Sequence, residues 1–268
     1  MLMSQDDHLR AAKRLDHAEE AGHQIGCFSQ DYPAMTMVDA YAIQSAWVDL
    51  KLAAGRRVDG RKIGLTSRAM QNQLGIDIPD SGILFDDMFF DNGATVPKGR
   101  FIEPRVEAEI AFIMASDLHG ADATPEAVLA ATEAVAPALE ILDTRIFRKD
   151  PVTGQPRTVL DTIADNAANA GIVLGAERHD PSTVNLAWVG AILKRGAIVE
   201  ETGLGAGVLG DPLISMVWLA ERLAEHGDYI RAGEVVLSGS FVRAVEAPSG
   251  SSFVADFGDF GSVSCAFE

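Results

Sequence analysis

Along the first 25 residues, Leu9, Ala12, Leu15 and Ala18 recur at helical spacing among charged neighbours, the pattern of a helix with one solvated face. A second helix is expected from Thr36, because Thr36-Met37-Val38-Asp39 has the form of a capping box with Asp in place of Glu. It runs through Tyr41, Trp47, Val48 and Leu52 to a stop at Gly55. Residues 57–65 then read as a strand and 67–74 as a short helix. Beyond them, apolar stretches punctuated by Gly, Pro, Asp and Asn predict strands at 83–85, 106–114, 171–174, 192–200, 234–237, 253–257 and 263–267. Two helices interrupt the strands. One is capped by Thr124 with Pro125 in its first position, and the other starts at Asp211-Pro212 and ends near Gly227. The expected class is α+β, with a helical N-terminal region over residues 1–56 and a β-rich domain over 57–268.

Composition narrows the function classes. In 268 residues, 47% apolar and 23% charged positions suit an ordinary globular chain with a sizeable core. The longest apolar run, 128–142, is broken by Glu133, Pro137 and Glu140 and falls short of the ~20 residues that span a bilayer. The first residues have neither a basic start nor an apolar core, so a cytoplasmic protein is expected, with Cys27 and Cys265 as reduced thiols. A net charge of −17 argues against nucleic acid as a partner. It leaves room for a small anion wherever a cation and local Arg or Lys invert the potential. There is no His-x-x-x-His pair and no Gly-x-Ser-x-Gly elbow. Gly205-Ala206-Gly207-Val208-Leu209-Gly210 matches a dinucleotide fingerprint only on paper. The segment before it carries Glu200 and Glu201, and its helix opens late, at Asp211.

Glu107 and Glu109 point the same way if 106–114 is a strand, beside residues that otherwise look like core. Two such charges about 7 Å apart on a partly buried face cost several kcal/mol, which a hard divalent cation removes. Glu140 is a third carboxylate inside an apolar run. Spacing alone leaves a second reading open, in which the pair faces solvent and Glu140 caps a helix. Lys62 enters an apolar, Gly-containing strand, either as a cation poised by desolvation or as a snorkelling edge residue. Asp80 lies in Pro79-Asp80-Ser81-Gly82, which is first of all a turn.

Taken together, these residues resemble the hydratase/decarboxylase branch of the fumarylacetoacetate hydrolase superfamily. The likeness extends over essentially the whole chain. It rests on Asp31-Tyr32-Pro33, residues 39–44, Lys62-Ile63-Gly64-Leu65-Thr66-Ser67, Asp86-Asp87-Met88-Phe89-Phe90, Pro104-Arg105-Val106-Glu107-Ala108-Glu109, Pro137-Ala138-Leu139-Glu140 and residues 161–171, which include Thr162. The resemblance implies a mixed β-sandwich roll with a helical N-terminal region. It implies Mg²⁺ or Mn²⁺ on Glu107, Glu109 and Glu140, a pocket lysine at Lys62 and a proton-transfer acid at Asp80. Implied, too, are a homo-oligomer, possible association with a sister decarboxylase, and the hydration of a 2-oxo or 2-hydroxy-dienoic acid. The stretch from Arg148 to Arg157 resembles members acting on a seven-carbon diacid. A second carboxylate calls for a bidentate Arg, and Arg145, Arg148 and Arg157 are the candidates, with Thr162 as a further substrate contact.

Overall fold

In the computed structural model, which describes residues 3–68, 71–72, 76 and 78–268, the long N-terminal helices start at capping boxes. Ser4 and Asp7 cap helix α1 (Gln5–Ala21). After the single turn α2 (Phe28–Asp31), Thr36 and Asp39 cap α3 (Met37–Ala53), with the Thr36 amide donating to Asp39 at 2.9 Å. The two boxes differ in burial: Asp39 also meets His8 Nε2 at 2.9 Å, tying α3 to α1. Helix α1 buries Ala11, Ala12, Leu15 and Ala18, while Leu9 stays 40% exposed. The buried stripe thus has Ala11 where the spacing predicts Leu9.

Strands β1 (Val58–Gly64), β2 (Asp80–Phe85), β3 (Phe89–Phe90), β4 (Thr95–Val96), β5 (Arg105–Met114), β6 (Thr132–Leu142) and β7 (Asn169–Leu174) follow, with helices α4 (Pro125–Ala131) and α5 (Val159–Ala164) among them. The rest of the chain forms β8 (Gly190–Arg195), β9 (Ile198–Leu204), α6 (Pro212–Ala224), β10 (Val235–Ser240), β11 (Val245–Glu246), β12 (Ser252–Asp256) and β13 (Ser262–Phe267). The larger sheet runs β2-β1-β10-β5-β6-β7-β3, with β11 on the flank of β5; the smaller runs β4-β13-β12-β8-β9.

Strand β5 shows how the layers are sorted. Val106, Ala108, Ile110, Phe112 and Met114 face the core shared with the smaller sheet, through residues such as Leu193, Phe253 and Val263. The opposite face includes Ala111 and, on neighbouring strands, Ala138, Ile172 and Leu237. These pack with Leu15, Ile43 and Trp47 of the N-terminal helices. Arg105, Glu107 and Glu109 belong by alternation to this second face.

Several expected elements are redrawn. Residues 192–200 are not one strand but parts of two, β8 and β9, joined at Gly196, whose φ of 58° suits the turn. The helix expected at 67–74 lies partly outside the described residues. Helix α5 has too few apolar repeats to declare itself. Cys27 and Cys265 are buried and unbridged. Among the described residues no helix is long and apolar enough to cross a membrane.

After α5 the backbone makes a turn that the sequence does not announce. Asn166, Ala167 and Ala168 all have left-handed φ, at 52°, 50° and 58°. Each such L-residue costs about 1–2 kcal/mol relative to right-handed backbone. Side chains around the turn hold it. Asn166 Oδ1 accepts from Ile83 N–H at 2.8 Å and its Nδ2 donates to Ile83 C=O at 2.9 Å, so the amide pairs like a peptide with the edge of β2. Asp165 accepts from the Arg145 backbone N–H at 2.9 Å and from its Nε at 2.5 Å. Asp161 takes the Ser29 amide and hydroxyl, joining α2 to α5. Ala167→Gly is therefore expected to raise stability by about 1 kcal/mol, opposite in sign to the usual Ala→Gly change. A denaturant titration of the two proteins checks the sign.

Candidate metal centre

The register of the large sheet builds the site. Glu107 on β5 lies directly opposite Glu140 on β6, and Glu109 opposite Ala138. Like charges facing each other across a ladder are unfavourable even at a surface. Here Glu109 and Glu140 are each 1% exposed. One carboxylate oxygen from each of Glu107, Glu109 and Glu140 lies within 4.8 Å of the others. Two unit charges ~4 Å apart repel by about 4 kcal/mol at an effective dielectric constant of 20. Three such pairs rival the whole stability of an ordinary domain, about 5–15 kcal/mol.

Protein groups offset only part of this. Gly239 donates its N–H to Glu109 Oε2 at 2.8 Å. Its φ of 114° suits glycine, and a Cβ there would lie 2.4 Å from Thr66 Oγ1. Lys62, 4% exposed on β1, brings Nζ to 3.5 Å from Glu140 Oε1. Both oxygens of Glu140 nonetheless lack a hydrogen-bond partner, as does Asp80 Oδ1. Asp80 sits opposite Gly64. A Cβ at Gly64 would stand 2.2 Å from Asp80 Oδ1 and 2.8 Å from Lys62 Nζ, so the missing side chain is the space into which those groups converge.

The proton affinities follow. Burial first, and Glu140 next, push Glu107 up to about 8, with Lys62 opposing. Glu109 is raised well above the usual carboxylate value by burial and by its two neighbours, and Glu140 is raised by burial against the pull of Lys62. Burial also raises Asp80, opposed by Lys62 and Arg157. For Lys62, burial favours the neutral amine, but Glu140, followed by Asp80, Glu107 and Glu109, outweighs it and holds the pKa above the ordinary lysine value. Three converging carboxylates, two of them buried and one with both oxygens unpartnered, beside a single ammonium fit a hard divalent cation. Glu107, Glu109 and Glu140 are the residues that would hold it.

Comparison with known proteins agrees with this geometry. No protein-family model matches the chain. It is 48% identical over 260 residues to 2-oxo-hept-4-ene-1,7-dioate hydratase of Escherichia coli, covering 97% of each chain. The chain belongs to the hydratase/decarboxylase branch of the fumarylacetoacetate hydrolase superfamily. Within this branch it is 41% identical to 2-keto-4-pentenoate hydratase of Paraburkholderia xenovorans, over 99% of this chain and 97% of that one. The structure of 4-oxalocrotonate decarboxylase from Pseudomonas putida G7, complexed with magnesium and adipate, superposes with a TM-score of 0.92 at 33% identity, over 99% of both chains. The mixed helix-and-sheet roll is thus the fold of this superfamily, and a divalent ion is bound by at least one structural relative.

The remaining sequence-derived candidates separate. Arg145 is 2% exposed, its guanidinium bonded to Asp165 and to the Asn169 carbonyl and stacked 5.4 Å from the Trp47 ring centroid. Burial and these bonds commit its donors to the scaffold. Thr162 Oγ1 donates to Thr158 C=O within α5 at 3.3 Å, and none of its bonds leads to the carboxylates. Arg148 and Arg157 are brought side by side, since Arg157 N–H donates to Arg148 C=O at 3.0 Å across a loop that turns at Gly154. Sequence reasoning passed over Arg105 and Gly239. Arg105 was detectable, being in phase with Glu107 and Glu109 on one strand. Gly239 was not, because its role depends on a contact 130 residues away.

The raised carboxylates give a signed expectation. With Glu107 lifted from 4.5 to about 8, the folded ion-free protein holds a proton that the unfolded chain has lost between those values. Stability without metal therefore falls as pH rises through this window. Metal must displace the proton, so Mn²⁺ affinity climbs across the same range with proton release. Calorimetric Mn²⁺ titrations at about pH 6 and about pH 8, in buffers of different ionisation enthalpy, measure both.

Proposed function

We propose that this protein is a divalent-metal-dependent hydratase that converts 2-oxohept-4-ene-1,7-dioate to 4-hydroxy-2-oxoheptanedioate during catabolism of aromatic compounds. The observation that carries the reading is the convergence of Glu107, Glu109 and Glu140 beside Lys62 and Asp80. The Escherichia coli relative supports the choice of substrate. A Mg²⁺ or Mn²⁺ ion held by the three glutamates supplies positive charge for the 2-oxo carboxylate and for the charge developing on its C2 oxygen.

The protein's own groups do the rest. Lys62, kept cationic by its carboxylate neighbours, balances charge at the oxo-acid end of the substrate. Asp80, drawn toward its protonated form by burial, holds a transferable proton at a carboxyl whose Oδ1 is otherwise unpaired. The proton it delivers to C5 of the dienol, with loss of the C2 hydroxyl proton as the carbonyl forms, shifts the remaining double bond into conjugation with that carbonyl. Water then adds at C4, oriented by the same carboxyl, which takes the water's proton for transfer to C3. Arg148 and Arg157, adjacent across their loop, suit the second carboxylate of the diacid. A homo-oligomer acting in the cytoplasm, in association with a sister decarboxylase, completes the proposal.

The first test is a panel of mono- and diacid dienols assayed with Mg²⁺. A water adduct of the seven-carbon diacid is the expected product, and release of CO₂ instead would point to the decarboxylase chemistry named for a structural relative. Glu107→Gln is expected to abolish turnover and weaken Mn²⁺ binding while leaving the circular dichroism spectrum intact; activity that survives in chelated buffer refutes the metal role. Lys62→Ala should lower kcat by about 100-fold or more with Mn²⁺ still bound, a loss of the size seen when a preorganised charge is removed.

A further inference from the structure

The carboxylates share their face of β5 with a guanidinium that the preceding account leaves unused. Arg105 is in phase with Glu107 and Glu109, one alternation from Glu107. On the flanking strand its partner in register is Glu246, whose Oε1 lies 3.2 Å from Arg105 Nη2. That carboxylate is 75% exposed, so the pair is a solvated one and holds Arg105 weakly. The other side of the fork is different. Arg105 Nε is buried and has no hydrogen-bond partner. A planar fork with one edge on a loose surface carboxylate and the other edge empty is half a carboxylate site.

Two more guanidinium groups stand in the same neighbourhood. Arg148 is held by the Glu103 carboxylate and carbonyl. Arg157 has one hydrogen bond, from Nη1 to Thr144 Oγ1 at 2.5 Å, and forms no ion pair among the described residues. Burial lowers the pKa of Arg148 to about 10 and lowers that of Arg157, and the charge of Arg105 acts in the same direction on both. Three cations thus gather, the Nε of Arg105 without a hydrogen-bond partner and Arg157 without an ion pair among the described residues. An incoming carboxylate relieves that repulsion.

We infer that Arg105 is the specificity-determining residue for the substrate's second carboxylate, releasing Glu246 to take it, with Arg148 and Arg157 beside it. The inference rests on the hydratase reading above and adds to it the residue that separates diacids from monoacids. The dimensions agree. One strand alternation places Arg105 about 7 Å along β5 from Glu107. The five carbon–carbon bonds from C2 to C7 of a heptenedioate span about 6 Å when extended. A substrate anchored at the glutamates by its oxo-acid end therefore carries its far carboxylate to Arg105, whereas a monoacid leaves the fork unfilled.

The test uses two non-reacting probes that differ only in the second carboxylate, 2-oxoheptanedioate and 2-oxoheptanoate, titrated calorimetrically into the Mg²⁺-loaded protein. Arg105→Ala is expected to weaken the diacid at least tenfold more than the monoacid. Arg105→Lys, which keeps the charge and loses the fork, should fall between. Glu246→Gln should tighten the diacid severalfold, because it frees Arg105; a merely structural ion pair would show no such gain. Equal weakening of both probes by Arg105→Ala and Arg105→Lys overturns the inference, as does a Glu246→Gln protein that binds the diacid less well. Wild-type protein that takes up Mn²⁺ but does not prefer the diacid also overturns it, and with it the choice of a diacid, while leaving metal-dependent hydration of a 2-oxo acid intact. Failure to take up Mn²⁺ at all removes the reading on which both rest.

Discussion

Buried negative charge is the constraint to which the rest of this structure answers. Glu107, Glu109, Glu140 and Asp80 meet around one ammonium, that of Lys62, on the face of a sheet that also carries hydrophobic core. Charges of one sign in so small a volume are tolerable only when protonated or when matched by further positive charge. Burial accordingly raises the proton affinity of the glutamates, and Lys62 matches part of their charge at 3.5 Å from Glu140. A site built in this way is poised for a cation before any cation arrives.

Holding those groups together takes a scaffold as costly as the site. Asp80 is on β2, an edge strand, and edge strands are the least constrained part of a sheet. The left-handed turn at Asn166–Ala168 answers this by pressing an asparagine amide against Ile83, while Gln44 of α3 donates to Ser81 C=O at 2.9 Å. Arg145, Asp165 and Trp47 then lock the turn to the N-terminal helices. The helical layer is thus part of the site's support. It shares a hydrophobic core with the sheet, and Gln44 donates to carbonyls of both β2 and α5.

The scaffold also explains the differing fates of neighbouring arginines. Arg145 and Arg148 are three positions apart. One leads inward to a fully buried aspartate, while the other leads to a surface glutamate and to the loop that carries Arg157. Equal chemistry and near-equal position in the chain lead to different surroundings, one guanidinium buried in the scaffold and the other at the protein's surface.

The chain's periodicities were enough to determine the capped helices, the strand character of β5, the α+β class and the common orientation of Glu107 and Glu109. Each of these depends on residues a few positions apart. Motif resemblance added the expectation that Glu140 joins them as a ligand. Only tertiary structure decided that Glu140 lies opposite Glu107, that Gly64 leaves room for Lys62 and Asp80 to meet, and that Arg145 is spent on Asp165. It also decided that residues 192–200 fold back as a hairpin. The hairpin apart, these facts depend on strand register and on contacts between residues 16 to 33 apart in the chain. Local sequence patterns carry no record of such distances, since register is set by the packing of whole faces and not by any one segment.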